Sequence, residues 1–529
     1  MTTIRKFANY IKPLLNEKTK SCLQKVMPPS LLWKTCSIYP IEIPEIAFTK
    51  GLDMILVELP PKSCPLMPNG LGYVHNILKG CGVSFQTADI NIIMYHRHHV
   101  KGIPSPDLWE QSHSSKWTQQ RTIDLFSKEV NEISNKLVQA YPRIIGISVN
   151  GINCLFVKAV VDKVKKSYPE VTLIAGGYDC IYPEVAKGLY PEFDYLVIGE
   201  AELTLPPLIS ALKRWERPYN LPGVISKHDT QPFVQGARPQ NLDTIEFPKY
   251  DWATLDLYRD CWGGNTVPII SNRGCHWSRC TFCCECFQWR TRSAKNIADE
   301  IQWLYEQGAR CFRFNESDLI GNHSVISELC REIVTRKLPI RFTGELRVDP
   351  RSNLSFFKLM KAAGCDRLAF GVDGWNEHLL LLQNKGYTMV DVEQNLLDCT
   401  KAGIKTDINM VIGVPGEIEE DISESIDNII RLKSYISCVQ NLNILLLKVG
   451  SQYYRHPEKY RIKFHGNKDE IYAKYPHLIP PELWYSEEPH IGIVTRVQRL
   501  NRIYNQLRKA QVSITQYAQW EVERDNQNL

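Results

Sequence analysis

From residue 267 onward, six short apolar runs follow one another with a helical stretch between each. They are VPIISN (267–272), CFRFNE (311–316), IRFTGE (340–345), RLAFGVD (367–373), KTDINMVIGV (405–414) and NLNILLL (441–447). The helical stretches begin near Lys295, Ser324, Ser352, Met389 and Ile418. Strands that alternate with helices pair in parallel, because a helical crossover brings the chain back to the same end of the sheet. Such strands are covered on both faces and read as unbroken apolar runs. Six β/α units in a row predict a barrel, complete or partial, over residues 263–450. Its working face is the C-terminal end of the strands.

A shorter series of the same kind precedes it. DMILVEL (53–59), VSFQTADINII (83–93), PRIIGISVNG (142–151), VTLIAGG (171–177) and DYLVIGE (194–200) read as strands, with helical spacing at 70–80 and from about 152 to Lys166. The spacing predicts a doubly wound, Rossmann-like domain over 51–215. Its ligand site belongs at the C-terminal strand ends, where Gly176, Gly177, Gly199 and Glu200 fall. Residues 1–50 read as an N-terminal extension and 216–262, rich in Pro and Trp, as a connector. Residues 451–529 read as a mainly helical C-terminal cap with a helix near 492–509. A polar stretch at 94–120 holds His96, His98, His99 and His113. No metal-ligand spacing organises these histidines, so an exposed insertion is the expectation.

At 529 residues the chain exceeds a single core, and 43% hydrophobic with 23% charged residues is globular composition. A formal charge of +5 over this length gives no reason to expect a nucleic-acid partner. The basic residues of the first 25 positions are read as a solvated face. No apolar run reaches the length of a membrane helix, and the N-terminus lacks a signal-peptide core, so a cytoplasmic protein is expected. Its 17 cysteines are then reduced thiols, mostly isolated and buried. Cys311 and Cys365, on barrel strands, are expected in the core.

One segment departs from that background. RGCHWSRCTFCCECFQWR (273–290) carries Cys275, Cys280, Cys283, Cys284 and Cys286, directly after the first barrel strand. Three thiolates can hold a cubane iron–sulfur cluster with one iron open, whereas four close the site. Zinc on Cys280, Cys283 and Cys286 is the rival, although the second CxxC or His pair of a zinc ribbon or finger is not at a usual distance. The density of thiols and their place on the working face favour a metal site over chance clustering. Spacing alone leaves the metal open.

RGCHWSRCTFC, followed by WRTRSAKNIADEIQWL, resembles the cluster loop and first helix of the radical SAM enzymes. The resemblance implies a [4Fe–4S] cluster on Cys275, Cys280 and Cys283, with Phe282 as the aromatic residue before the last ligand. The family spacing is CxxxCxxC; here the first interval is one residue longer. The remaining thiols, Cys284 and Cys286, are then expected to pack. NES (315–317) implies Glu316 as a contact to the amino group of S-adenosylmethionine (SAM), and GELRVD (344–349) implies Arg347 for its carboxylate. FGVDGWNEHLLLLQNKGYT (370–388) implies Asp373 for the ribose, and MVIGVPGE (410–417) implies Gly413 and Val414 at the adenine.

LMPNGLGYVHNIL (66–78), ISVNG (147–151), LIAGGYDCIYPEV (173–185) and VIGEAELTLPPLI (198–209) resemble the cobalamin-binding domain that precedes many radical SAM barrels. This implies cobalamin at Asn69, Gly70, Ser148, Asn150, Gly176, Gly177, Gly199 and Glu200. No Asp-x-His-x-x-Gly follows the second strand, so no protein histidine is expected on cobalt. Together the resemblances, spanning about 51–450, imply a cobalamin-dependent radical SAM C-methyltransferase. In such enzymes a 5′-deoxyadenosyl radical abstracts hydrogen, and methylcobalamin supplies methyl to an unactivated carbon. The substrate would be a natural product, peptide or lipid, and the electron donor a flavodoxin or ferredoxin. A non-methylating radical enzyme that cyclises or rearranges its substrate, and a non-catalytic cobalamin- or metal-binding regulator, are the alternatives.

Overall fold

The computed structural model describes residues 41–102, 104, 106–259 and 265–515. The first 40 residues of the expected N-terminal extension, and residues 516–529 of the expected cap, lie outside the described residues. The chain divides into two compact units, with boundaries at residues 239–244 and 268–269.

The first unit is built on a six-stranded sheet of order β2–β1–β3–β4–β5–β6. Its strands are β1 (Met54–Glu58), β2 (Phe85–Asp89), β3 (Ile144–Val149), β4 (Thr172–Gly177), β5 (Tyr195–Val197) and β6 (Val224–Ser226). All pairings are parallel except β5–β6. Every residue of β1 is buried, which is why MILVE shows no alternation. The helices are α1 (Asn69–Gly80), α2 (Ile90–His99), α3 (Ser127–Ala140), α4 (Cys154–Ser167), α5 (Pro183–Leu189) and α6 (Leu205–Lys213). The chain leaves β1 to one side for β2 and returns on the other for β3. That reversal opens a crevice at the C-terminal ends of β1 and β3.

Three expectations need correction here. The run VSFQTADINII is not one strand: the Asp89 carboxylate accepts the Ile92 N–H at 3.0 Å and starts α2, so INII is helical. The stretch 94–120 is not an exposed insertion. His96 and His99 are fully buried, the first with Nε2 2.6 Å from the Leu257 carbonyl, the second held between the Tyr95 carbonyl (2.7 Å) and Asp107 (2.9 Å). Tyr95, Trp109, Trp117 and Phe126 pack around them, because aromatic rings at this density bury together whatever the polarity of the residues between. Finally, the connector contributes β6 to the sheet.

The second sheet has six strands: β7 (Thr266–Ile269), β8 (Cys311–Phe314), β9 (Arg341–Leu346), β10 (Cys365–Asp373), β11 (Lys405–Ile412) and β12 (Cys438–Ile444), and the pairings from β8 to β12 are parallel. They lie in chain order, and β7 and β12 form the two edges, so this is a partial (β/α)6 barrel. The intervening helices are α7 (Ala294–Glu306), α8 (His323–Thr335), α9 (Leu354–Ala362), α10 (Met389–Lys401) and α11 (Glu419–Arg431). Ser293, Asn322, Asn353 and Thr388 cap four of them through their side chains.

Phe342, Leu368, Phe370, Ile408 and Met410 form the buried, helix-covered face, with Phe357 of α9 6.4 Å from Phe370. The opposite face is polar: Arg313 pairs with Glu345 (3.2 Å), Arg367 with Asp407 (2.5 Å), and Asn441 with Asn409 (2.9 Å). Beyond the barrel, α12 (Ile493–Lys509) is the expected cap helix. Before it, two short antiparallel pairs, 447–448 with 478–479 and 462–464 with 484–486, complete the cap. No helix among the described residues is long and apolar enough to cross a membrane.

Candidate cofactor sites at the strand ends

The cysteine loop leaves β7 and is pinched at its neck by pairing of 272–273 with 290–291. Gly274 makes the pinch possible. Its φ is +81°, and a Cβ there would lie 2.4 Å from the Phe287 carbonyl oxygen. Cys275 is buried, and its sulfur faces the backbone N–H groups of Trp277 and Ser278; burial raises its thiol pKa. Ser278 has φ +46°, so the longer Cys275–Cys280 interval is taken up in a left-handed bulge. Cys280 Sγ accepts from Arg347 Nη1 at 3.3 Å, and Cys283 Sγ from the Glu285 N–H at 3.4 Å. Each of the three sulfurs thus meets N–H donors, the environment that stabilises metal-bound thiolate. Cys284 and Cys286 are only half-buried, as is Cys311; Cys365 is fully buried, as expected. Glu285 shapes the turn between them, accepting the N–H groups of Cys286 and Phe287 at 3.0 Å each and the Ser317 hydroxyl at 2.5 Å.

The loop is strapped to the segment that follows the short helix Glu377–Leu382. Trp277 Nε1 donates to the Asn384 carbonyl (2.7 Å) and Asn384 Nδ2 to the Arg279 carbonyl (2.9 Å). Thr281 donates its N–H to Gln383 (3.1 Å) and its hydroxyl to Leu382 (3.1 Å). Gly386 permits this docking: with φ +74°, a Cβ there would come within 2.2 Å of the Trp277 ring.

Beside the loop, adjacent strand ends present a buried carboxyl group and a buried guanidinium. Glu316, just past β8, is buried; the Ser271 N–H (3.2 Å) and hydroxyl donate to one carboxylate oxygen, and the other has no partner. Burial pushes its pKa up to about 8. Arg347, at the end of β9, is buried, donates to Cys280 and to the Lys385 carbonyl, and lies 5.0 Å from the Trp277 ring. Its Nε has no partner. A buried carboxylate oxygen and a buried guanidinium N–H left open at neighbouring strand ends suit the ammonium and carboxylate of an amino acid.

Asp373, with φ +64°, is already paired with Lys385 at 2.8 Å. Burial alone would lower the Lys385 pKa, but Asp373 outweighs it and the ammonium is held charged. Lys385 also donates to the Gly371 carbonyl (2.7 Å) and sits 5.6 Å from the Phe282 ring. Gly413 and Val414 contact the cap instead. A Cβ on Gly413 would lie 2.4 Å from Arg496, and Val414 is fully buried among Leu379, Leu445, Tyr453 and Trp484. Their turn is locked by Glu417, which accepts the Gly413 N–H at 2.9 Å and pairs with Arg499 at 2.9 Å. Lys385, Trp277, Asp318 and Ser271 escaped sequence reasoning; the Lys-Gly pair at 385–386 was the one signal present.

At the first sheet, Ser148, Gly176 and Gly177 lie at the C-terminal ends of β3 and β4, Asn150, Gly199 and Glu200 on the loops after β3 and β5, and Asn69 and Gly70 in the first turn of α1. The buried Asn69 side chain has an unpartnered Nδ2, and beside Gly70 a Cβ would meet nothing within 4 Å. At Gly176 a Cβ would make only ordinary contact, its nearest neighbour 3.9 Å away; Gly199 has a nearest neighbour at 3.7 Å, and its φ of +77° favours glycine on conformational grounds as well. Gly177 is structural: φ is +121°, and a Cβ would lie 2.7 Å from the Val149 carbonyl. Asn150 accepts the Ile152 N–H at 3.1 Å and the Ser148 carbonyl accepts from Asn153 at 3.1 Å, so both shape the β3 loop. Glu200 is half-buried beside Gly199. An orphaned amide beside open glycines fits a large ligand lying on backbone rather than gripped by charge.

Residues 269–429 match the radical SAM superfamily. An uncharacterized methyltransferase of Pyrococcus horikoshii is 27% identical over 304 residues, covering 55% of this chain and 65% of that protein. The chain thus spans less than two thirds of that relative's length. Among solved structures, the radical SAM methyltransferase TsrM of Kitasatospora setae, with tryptophan substrate and a SAM analogue bound, superimposes with a TM-score of 0.58 at 18% identity, covering 79% of each chain. The cobalamin-dependent radical enzyme OxsB, with aqua-cobalamin and SAM bound, gives 0.64 at 16% identity, covering 90% of this chain and 71% of its own. At such identities the likeness establishes the fold.

Proposed function

We propose that this chain, which carries a radical SAM domain, is a cobalamin-dependent radical SAM C-methyltransferase of a small polar substrate. The observation that carries the reading is the constellation at the second sheet. Three cysteine sulfurs each meet N–H donors, beside a buried carboxyl group and a buried guanidinium with open valences. Cys275, Cys280 and Cys283 would hold the [4Fe–4S] cluster, Glu316 and Arg347 would hold SAM by its amino-acid end, and the glycine-lined edge at Asn69, Gly70, Gly176 and Gly199 would hold cobalamin. When bound, these groups supply reductive cleavage of SAM and a transferable methyl group.

The chain's own residues supply placement. Arg347 donates to Cys280 while its Nε remains for a carboxylate, so one side chain sets the cluster loop and the SAM end relative to each other. The Lys385–Asp373 pair, seated against Phe282, stiffens the wall of that site and excludes water from it. The polar face of the sheet, with its Arg313–Glu345 and Arg367–Asp407 pairs, supports a hydrogen-bonding substrate over a lipid. Burying an acyl chain there would desolvate four charges. The modest net charge supports a small molecule over nucleic acid. A flavodoxin- or ferredoxin-type donor and a cytoplasmic setting complete the reading.

The test is anaerobic incubation of the reconstituted protein with SAM, cobalamin and reductant. The reading requires 5′-deoxyadenosine, and its absence overturns it. If 5′-deoxyadenosine forms while methylcobalamin is never demethylated in the presence of a turning-over substrate, the chain is a non-methylating radical enzyme.

A further inference from the structure

We infer that Cys275, His276 and Asp318 form a second ligand set, one that takes a single divalent cation of the zinc type. One ligand atom from each of the three lies within 4.8 Å of those of the other two. Cys275 and His276 are neighbours at the start of the loop, while Asp318 comes from the turn after β8, so two separate elements converge.

Asp318 is fully buried, a costly place for a carboxylate without partners. One of its oxygens accepts the Arg347 N–H at 3.3 Å, and the other faces His276 Nδ1 at 2.6 Å. Its backbone carbonyl accepts from Asn272 Nδ2 at 3.0 Å, which anchors the turn. Gly321 lets the pair pack closely. A Cβ there would lie 3.0 Å from the Asp318 carboxylate, 3.1 Å from His276 Nδ1 and 2.6 Å from the Trp289 ring. Trp289 walls the site, its ring centroid 5.9 Å from that of His276.

Thiolate, imidazole and carboxylate are the three donor types zinc accepts, at roughly 2.3, 2.0 and 2.1 Å respectively. Around one tetrahedral ion such donors stand roughly 3.3–3.7 Å apart, so the His276–Asp318 pair, now 2.6 Å apart, must open by about 0.7 Å, and Cys275 Sγ, within 4.8 Å of both, must come to the same spacing. His276, with 31% of its side chain exposed, is the member free to rotate; Asp318 is fixed. Three protein ligands leave the fourth position to water, an open site.

Cys275 belongs to both sets, and one sulfur cannot complete both. A zinc-type ion here withholds the first cluster ligand, so zinc-loaded protein cannot assemble the three-cysteine cluster. The ligand set stands independently of the proposed activity; only this exclusion rests on the cluster reading.

The experiment is a titration of iron-free, full-length protein with Zn²⁺ under argon, in competition with a chromophoric chelator. One equivalent binds. His276→Ala and Asp318→Asn each weaken it at least tenfold, Cys275→Ser abolishes it, and Cys280→Ser and Cys283→Ser leave it unchanged. His276→Ala is the decisive arm, since a partly exposed side chain can be removed without unfolding; thermal melts by circular dichroism check each variant. The inference is overturned if Cys280→Ser or Cys283→Ser weakens zinc as much as Cys275→Ser, which puts the ion on the three thiols. It is equally overturned if His276→Ala and Asp318→Asn bind as the parent does. Zinc-loaded parent protein given iron and sulfide stays colourless until chelator is added, whereas zinc-treated His276→Ala assembles its cluster. If zinc-free protein also fails to assemble a cluster, the cluster reading falls while the zinc titration stands.

Discussion

At the C-terminal edge of the second sheet the prominent groups are buried ionisable side chains: Glu316, Asp318, Arg347 and Lys385. The corresponding edge of the first sheet offers glycines and amides, from Asn69 and Gly70 to Gly176 and Gly199. Glu58 and Asp89 also end β1 and β2: Lys62 holds one oxygen of the first at 2.8 Å and leaves the other without a partner, and the Tyr258 hydroxyl donates to the second at 2.8 Å. The same architecture therefore makes two kinds of site. Buried charges with open valences grip a small ionic ligand atom by atom. Missing side chains leave room for a broad one to rest on backbone.

The sharpest way to break that contrast is to remove a ligand on the charged side. Cys275→Ala, Cys280→Ala and Cys283→Ala should each lose essentially all of the [4Fe–4S] signal, by iron and sulfide content and by electron paramagnetic resonance, while cobalamin retention is unchanged. A full cluster in any one of them refutes the ligand assignment. Next in size, Arg347→Ala should weaken SAM binding by roughly 10- to 100-fold, the loss of about 1.5–3 kcal/mol expected of a hydrogen bond to a charged group. Arg347→Lys should recover only part of it, because the planar fork is gone; equilibrium dialysis with labelled SAM reads both.

On the glycine side the comparison lies within one edge. Gly177→Ala should cost about 1–3 kcal/mol in unfolding free energy, from a forced left-handed conformation and a backbone collision. Gly70→Ala should leave stability unchanged and weaken cobalamin binding instead. Equal melting curves for the two variants would erase the distinction between structural and ligand-facing glycines.

The smallest effect is a pH slope. Glu316 has its folded pKa raised from 4.5 to about 8, so the protonated form is the one the fold favours. Its contribution to stability is fully present below pH 4.5 and is lost as pH rises through about 8. Chemical denaturation between pH 5 and pH 8.5 should therefore show the parent losing more stability than Glu316→Gln. Parallel profiles would mean that Glu316 is ionised in the fold.

The barrel strands were legible because their helix-covered face sets a buried apolar residue at every second position, as in CFRF and RFTGEL, and helix starts were legible where Ser293, Asn322, Asn353 and Thr388 cap them. Periodicity failed at VSFQTADINII because Asp89, polar within an apolar run, marks a cap that alternation cannot register. It failed at 94–120 because His96 is satisfied by the Leu257 carbonyl, 161 positions away, and His99 by Asp107 within an aromatic cluster that no period marks. The same limit applies at the site. Cys280 was legible from its spacing, but Arg347, 67 positions away, supplies its hydrogen bond. Lys385 and Asp318 do their work through contacts that no local pattern encodes.

The strap between the cysteine loop and residues 382–384 has a consequence for the time course of synthesis. Its hydrogen bonds join positions 101 to 107 residues apart. At about 5–20 residues per second, a ribosome needs roughly 5–20 s to reach the second half of that strap after making the first. Through that interval the three cysteines have been made but the segment that pins their loop has not, and loop-closure entropy keeps them apart. Metal delivered during that window meets a loop not yet pinned; metal delivered later meets one already fastened through Trp277, Arg279 and Thr281.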